Sequence, residues 1–183
     1  MSRVRFGTAR ALFETFPEVY KKIGEVPNDR SPIEFLKGLS EQGKDNDAVT
    51  FCAYLLPRRE AVWWACGSAR ALLGDMPQAR AAGLLVAEAW VYEPDEEHRQ
   101  AALRIGTEGD SDDPLTWLAQ GAGWSGGLLF AHPTRTVPMP QYMTARAVRV
   151  AVLLSAQHLH GDQRQVRLRA CIAQGIELAE NGL

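Results

Sequence analysis

Histidine is the side chain best suited to bind a metal ion or to transfer a proton near neutral pH. The sequence contains four: His98, His132, His158 and His160. His158 and His160 are two positions apart at the end of a predicted helix, and this spacing directs their rings about 200° apart. His-x-x-x-His and Glu-x-x-His, which place two ligands on one helical face, are absent. We therefore expect neither a metal ion nor another cofactor.

The segment GAGWSGG, residues 121–127, matches two functional patterns by its letters. Gly121, Gly123 and Gly126 fit Gly-x-Gly-x-x-Gly, and Ser125 is the centre of Gly-x-Ser-x-Gly. A phosphate-binding loop and a nucleophile elbow both require a strand before the motif and a helix after it. Here a predicted helix precedes the motif and an irregular, proline-containing stretch follows. The segment is therefore predicted to be a connection between helices, not an active site.

An acidic cluster, TEGDSDDP at residues 107–114, has the composition of a calcium-binding loop. An EF-hand loop that began at Asp110 would need glycine at its sixth position and glutamate at its twelfth. Those positions hold Leu115 and Gly121. We therefore interpret the cluster as a solvated loop that leads into a helix N-cap. With no catalytic constellation in the sequence, we predict that the protein is not an enzyme.

Composition indicates a globular protein without an obvious nucleic-acid or membrane partner. The 183 residues are 46% hydrophobic, and 20 basic residues against 22 acidic ones give a formal charge of −2. No stretch reaches the 18 or so apolar residues of a membrane helix, and the N-terminus lacks the apolar segment of a secretory signal. The three cysteines lie in apolar helical runs and are predicted to be buried free thiols. We expect a cytoplasmic protein.

Start and stop signals divide most of the chain into helices. They predict a helix over residues 8–23 with Thr8 as N-cap. They also predict a helix that ends at Gly74 and a last helix with Asp162 as N-cap. The clearest signal is a capping box at Ser31 and Glu34, with Pro32 at the first helical position and Gly43 as a stop. No stretch shows convincing strand alternation, since GGLLFAH is too short to count. The sequence predicts a single all-α domain over residues 1–183, with eight or nine helices arranged as a compact orthogonal bundle or a short α-solenoid. A Gly/Pro-rich connection is predicted at residues 121–140.

The stretch PRREAVWWACGSARALL, residues 57–73, carries two adjacent tryptophans on one predicted helix. At about 100° per residue, alanine, valine, cysteine and leucine side chains form a broad apolar arc that faces the core. Trp63 falls on the opposite side, between Arg59 and Arg70, and Trp64 falls near the far edge of the wheel. Because apolar bulk covers nearly the whole circumference, we expect this helix to be enclosed by other helices.

Arginine and tryptophan are the residue types that dominate protein interfaces. We therefore predict a protein-binding patch of Arg58, Arg59, Trp63 and Arg70. The alternative is that an arginine stacks on a tryptophan and closes the edge of the core. The segment at 121–140 is extended, nearly neutral and punctuated by proline, so it is a second candidate contact with another protein, or a gate.

Three stretches together resemble a known family: DAVTFCAYL, LPRREAVWWAC and PMPQYMTARAVRVAVLLSA. The family comprises uncharacterised bacterial helical proteins associated with type VI secretion gene neighbourhoods. The resemblance spans roughly residues 31–160 and is strongest from Leu56 to Cys66. It brings no catalytic residues with it. It implies a non-catalytic cytoplasmic accessory protein, an adaptor or chaperone that holds a toxin, spike or spike-tip protein before export.

Two other roles stay open at the level of sequence. The first is an immunity protein that neutralises a secreted toxin, and the second is a small enzyme whose site is assembled from dispersed residues. Immunity proteins against nucleases are often strongly acidic, to match a basic cleft, and a formal charge of −2 does not favour that class. Neither the oligomeric state nor the identity of the partner follows from the sequence.

Overall fold

The computed structural model describes residues 4–78 and 80–183, with all of their side chains except that of Phe130. Within these ranges the chain forms nine α-helices, one 3₁₀ helix and one β-hairpin, so the all-α prediction is confirmed. The helices are α1 (Ala9–Thr15), α2 (Pro32–Glu41), α3 (Asp45–Leu55), α4 (Arg58–Leu73), α5 (Ala82–Tyr92), α6 (Glu96–Glu108), α7 (Pro114–Gly123), α8 (Tyr142–Ser155) and α9 (Gly161–Asn181). The 3₁₀ helix is Pro17–Lys21, and the strands are β1 (Leu128–His132) and β2 (Arg135–Pro138).

Several helix boundaries lie where the local signals place them. Ser31 and Glu34 form the predicted capping box, each side chain accepting a hydrogen bond from the other's backbone N–H at 3.2 Å. Thr8 caps α1 by accepting a hydrogen bond from the backbone N–H of Ala11. Gly74 ends α4 with φ of +70°, a backbone conformation that disfavours residues with a Cβ atom.

Other boundaries differ from the predictions. The helix predicted from Thr8 onwards breaks at Phe16, because the residue before a proline is disfavoured in helical conformation and Pro17 has no N–H to donate. The last helix begins at Gly161 with His160 as its N-cap, so the prediction of Asp162 as N-cap is wrong.

The segment at 121–140 is more structured than predicted. Helix α7 continues to Gly123, and β1 and β2 then form an antiparallel hairpin. The prediction that GGLLFAH is too short to form a strand is therefore wrong. The pairing begins beside a two-residue turn, Pro133 and Thr134, and extends from His132↔Arg135 towards Leu128↔Pro138. Strand pairing depends on a second segment, so the five residues of β1 considered alone gave a weak signal.

Helix α4 is the central element, and it packs on α5, α7, α8 and α9. The contacts with α8 and α9 join segments that are far apart in sequence. A solenoid mainly forms contacts between consecutive repeats, so this pattern identifies the fold as a helical bundle. Trp64 of α4 is part of the hydrophobic core and is only 2% exposed. Its indole N–H donates a hydrogen bond to the Cys171 carbonyl of α9 at 2.8 Å.

Close helix packing fixes the part of the bundle that carries the hairpin. At Gly123 a Cβ atom would lie 2.6 Å from the Cα of Leu103, so only glycine allows the end of α7 to approach α6 this closely. Gly106 on α6 likewise lies against the backbone of Gln120 on α7. The chain that leaves α7 is therefore held directly beside α6. No helix in the described ranges has both the length and the apolar character needed to cross a membrane.

The two tryptophans should differ in their contribution to stability. We expect Trp64→Ala to lower the free energy of unfolding by about 3–5 kcal/mol, because it leaves a large cavity and an unpaired Cys171 carbonyl. Trp63 is only half-buried, so Trp63→Ala should cost roughly 1–2 kcal/mol. Urea denaturation of both variants measures the difference. Equal losses would show that both rings are core residues.

The cysteines should react slowly in the native protein. Cys52, Cys66 and Cys171 are buried free thiols, and burial raises the pKa of each, so little reactive thiolate is present at neutral pH. We expect an aromatic disulfide reagent to label the native protein slowly and the denatured protein completely. Rapid labelling of any one cysteine in the native state would contradict its burial.

Candidate protein-binding site

Arg58 lies apart from the other three residues of the predicted patch. Its guanidinium donates hydrogen bonds to the Ser125 carbonyl at 2.7 Å and to the Met139 carbonyl at 3.1 Å. These carbonyls flank the two ends of the hairpin. Burial lowers the pKa of Arg58, but an arginine keeps its charge at neutral pH in any case. Arg58 therefore ties the first turn of α4 to the segments that flank the hairpin, residues 123–127 and Met139, which we call the hairpin stem.

Arg59 and Arg70 face α5 and are both bonded to it. Arg59 donates from Nε to the Val91 carbonyl at 2.7 Å. Arg70 makes two parallel bonds of 2.7 Å to the carboxylate of Glu88, which raise the pKa of Arg70. Much of the donor capacity of these side chains is therefore directed within the molecule. Their first role in the structure is to hold α4 and α5 side by side.

Trp63 lies between these arginines and borders open surface on two sides. On the side of α5 its ring packs edge-to-face on Tyr92, with 5.9 Å between ring centroids, and Tyr92 is 76% exposed. On the side of α9 it lines a groove of about 340 Å³, which we call the tryptophan groove. At Gly67, in the wall of the groove, an added Cβ atom would meet nothing within 4 Å. The groove is lined by Trp63, Trp64 and Gly67 of α4 and by Gln174, Glu177, Leu178, Asn181 and Gly182 of the C-terminal segment.

The hairpin, residues 128–138, forms an arm that packs little against the helices, and its two strands mainly contact each other. Leu128 and Leu129 are about half exposed, at 50% and 51%. The strand register shifts between Leu128 and Phe130, so Leu129 lies in a bulge. A two-stranded hairpin in water is marginally stable unless something else holds it. Its stem therefore decides whether this arm keeps a defined position.

Arg99 holds the stem from the side of α6. It is 6% exposed and donates to the Gly123 carbonyl at 2.6 Å, while two further bonds reach the carboxylate of Glu96. These bonds lower the pKa of Glu96 to about 2, so the carboxylate remains charged down to strongly acidic pH. Gly127, with φ of +78°, lies so close that a Cβ atom would be 2.9 Å from the guanidinium. Its carbonyl also accepts a hydrogen bond from the N–H of Met139, which closes the stem.

The hairpin arm and the Arg99 contacts were not predicted from the sequence. Arg99 looks like an ordinary polar residue of an amphipathic helix, because its carbonyl partner is 24 positions away. A signal for the hairpin was present: apolar LLF and β-prone RTV flank the turn-forming pair Pro133 and Thr134. Two short runs considered together are stronger evidence than either run alone.

One surface group has the residue types of a metal site. Ligand atoms of Glu93, Asp95 and His98 all lie within 4.8 Å of one another. However, one carboxylate oxygen of Asp95 already accepts the backbone N–H of His98, which caps α6, and also contacts the His98 ring. The bond between the Asp95 carboxylate and the His98 ring raises the pKa of His98 and stabilises its positive charge, which disfavours metal binding. We assign no metal site here.

Comparison with known proteins adds a family. A family model matches residues 35–179, which include α4, Arg99 and the whole hairpin arm. The chain belongs to DUF6931, a family of unknown function. No curated protein and no solved structure matches the chain. The DUF6931 description names no activity or partner, so a link to type VI secretion stays a prediction.

The hairpin arm should loosen when its stem contacts are removed. We expect Arg99→Met to increase the rate of tryptic cleavage after Arg135 by about tenfold or more, because charge-assisted bonds that fix the stem are lost. Arg99→Lys should behave similarly, since lysine cannot bond Glu96 and Gly123 in the same forked geometry. Limited proteolysis with mass spectrometry gives the rate at this site.

Arg104→Met is the matched control, because Arg104 is an exposed arginine on the same helix. It should leave cleavage after Arg135 unchanged. If Arg99→Met and Arg104→Met are cleaved at the same rate there, Arg99 does not hold the arm.

Proposed function

We propose that the protein is a non-catalytic protein-binding module and that the hairpin arm is its principal contact. The observation that carries this proposal is an exposed, leucine-bearing hairpin whose stem is fixed by two arginines. Arg58 and Arg99 between them bond the carbonyls of Gly123, Ser125 and Met139. A rigid contact loses less conformational entropy on binding, so a hairpin held in this way favours association.

The free edges of the two strands differ in how readily each could pair with a strand of another protein. Strand β2 carries Arg135 and Pro138, and charged residues and proline are devices that protect a strand edge from pairing. Strand β1 contains neither a proline nor a formally charged residue. Strand addition at a sheet edge is a recurring mode of peptide recognition, with backbone hydrogen bonds as its main attraction. We therefore favour β1, with Leu128 and Leu129, as the contact edge.

The tryptophan groove is a second contact in this proposal. It adjoins the same half of α4 as the arm, since Trp63 follows Arg58 by five residues, or about 8 Å along the helix axis. Gly67 supports the assignment, because an exposed mid-helix glycine is less stable than alanine by about 1 kcal/mol and no packing contact here requires it. The predicted Arg59 and Arg70 would then act chiefly by fixing Trp63 and Tyr92 between α4 and α5.

For the biological role we propose a cytoplasmic accessory protein, an adaptor or chaperone of a bacterial type VI secretion system. Its support is the sequence resemblance. The partner would be a secreted toxin or a spike-tip protein. An immunity protein that neutralises a toxin is the alternative role, and it would use the same kind of surface.

Capture from the native host tests the proposal. We expect the double variant Leu128→Ser/Leu129→Ser to retain the fold by circular dichroism but to capture its main partner at least about tenfold more weakly, because central apolar contacts dominate interfaces. Val166→Ser is the matched control, because Val166 is a comparably exposed apolar residue on α9, and it should capture normally. Tyr92→Ser tests the aromatic surface beside the groove separately.

The result also separates the two roles. A captured toxin whose toxicity is suppressed by co-expression indicates an immunity protein, whereas a spike-tip protein or an unsuppressed toxin indicates an adaptor. Equal capture by the wild type, the leucine variant and Tyr92→Ser would exclude the hairpin arm and the aromatic surface at Tyr92.

A further inference from the structure

A second polar site lies where α8 packs on α3. Tyr142, Arg146 and Arg149 follow one another at spacings of four and three residues, which places them on one helical face. Helix α3 presents Thr50 and Tyr54 to this face in the same way. The two helices are joined there by a hydrogen bond of 2.8 Å from Arg149 Nε to the Thr50 hydroxyl. This bond fixes the guanidinium plane and leaves its two terminal nitrogens available.

The 3₁₀ helix brings a third cation to the same place. The ring of Phe16, just before it, packs edge-to-face on the ring of Tyr54 at 5.4 Å. Lys22, just after it, is half-buried. The pKa of Lys22 is lowered by burial and then by the positive charges of Arg149 and Arg146. Three like charges are therefore held close enough to repel one another.

The surroundings provide little negative charge to offset this repulsion. Glu18 is the acidic residue whose charge is felt by Lys22 and by Tyr54. In the described chain neither Lys22 nor Arg146 forms an ion pair. Residues 114–161, which include all of α8, contain no aspartate or glutamate. Three cations and one carboxylate leave a net charge of about +2 where α3, α8 and the 3₁₀ helix meet.

The buried hydroxyl of Tyr54 shows where a ligand would bind. Tyr54 is 1% exposed, and its hydroxyl has no hydrogen-bond partner among the described residues. One carboxylate oxygen of Glu18 is also buried and unpartnered, but as an acceptor it needs a donor and does not attract an anion. Burial raises the pKa of Tyr54 to about 12, so its hydroxyl is a proton donor at neutral pH. Buried polar groups are normally satisfied, so the unpaired Tyr54 hydroxyl, a donor beside unpaired cations, indicates a missing acceptor.

We propose that this junction of Lys22, Tyr54, Arg146 and Arg149 binds a phosphate group. A phosphate carries close to two negative charges at neutral pH and offers at least three acceptor oxygens. The free terminal nitrogens of Arg149 match such an oxyanion in geometry, and Lys22 and Arg146 complete its neutralisation. The Tyr54 hydroxyl provides a neutral donor. The site is separate from the hairpin arm and the tryptophan groove.

Titration calorimetry with inorganic phosphate, against sodium chloride of equal ionic strength, tests the site. We expect Lys22→Gln and Arg146→Gln each to weaken phosphate binding about tenfold, the effect of losing one charge-assisted contact. Lys21→Gln is the matched control, because Lys21 is the exposed neighbour, and it should change affinity less than about twofold. No binding by the wild type beyond the chloride control, or equal losses in all three variants, overturns the proposal.

Tyr54→Phe separates ligand binding from a structural role. Removing a buried hydroxyl that has no partner should preserve or raise the melting temperature without phosphate, yet weaken phosphate binding by roughly fivefold or more. If phosphate affinity is unchanged in this variant and in Lys22→Gln, the junction is not the binding site. O-phosphoserine distinguishes the source of the group: binding of both ligands indicates a phosphate ester, and binding of inorganic phosphate alone indicates the free ion.

Discussion

The guanidinium of Arg99 cannot lose its proton at any physiological pH, so its burial obliges the surrounding chain to provide hydrogen-bond acceptors. Glu96 provides the countercharge from one turn away, and the carbonyl of Gly123 provides the remaining acceptor. Gly123 can reach Arg99 only because it lacks a side chain that would collide with Leu103. The position of the hairpin arm thus follows from this buried charge, from the glycine that lets α7 approach α6, and from the bonds of Arg58 to Ser125 and Met139.

The elements that depend on adjacent residues were predictable from the sequence. The capping box at Ser31 and the stop at Gly74 involve residues within one helical turn, and both lie as predicted. The break at Phe16 has an equally local signal in Pro17, but the prediction of one helix through this position overlooked it. The Arg99 contacts were not predictable in this way, because they join residues 24 positions apart that the packing of α6 on α7 brings together. The hairpin arm pairs nearby segments and left only a weak signal in the sequence.

The predicted patch shows why residue types alone locate a surface imperfectly. A helical wheel gives the direction of each side chain but not the neighbour that it meets. Arg58 meets the carbonyls of the hairpin stem, and Arg70 meets the carboxylate of Glu88. A long side chain whose hydrogen-bond donors are paired within the molecule has fewer donors left to bind another molecule. Trp63 kept part of its surface open because α9 leaves a groove above Gly67.

The formal net charge does not show that acidic and basic residues are unevenly distributed along the chain, and a binding partner responds to that distribution. The formal charge of −2 is an average over a chain in which residues 114–161 carry arginines and no acidic side chain. This stretch contains both the hairpin arm, with Arg135, and the face of α8 that carries Arg146. Charges beyond about 8–10 Å are largely screened at physiological salt, so an approaching molecule responds to this local excess and not to the total. Acidic or phosphorylated groups are accordingly favoured close to these arginines, whatever the overall charge of the protein.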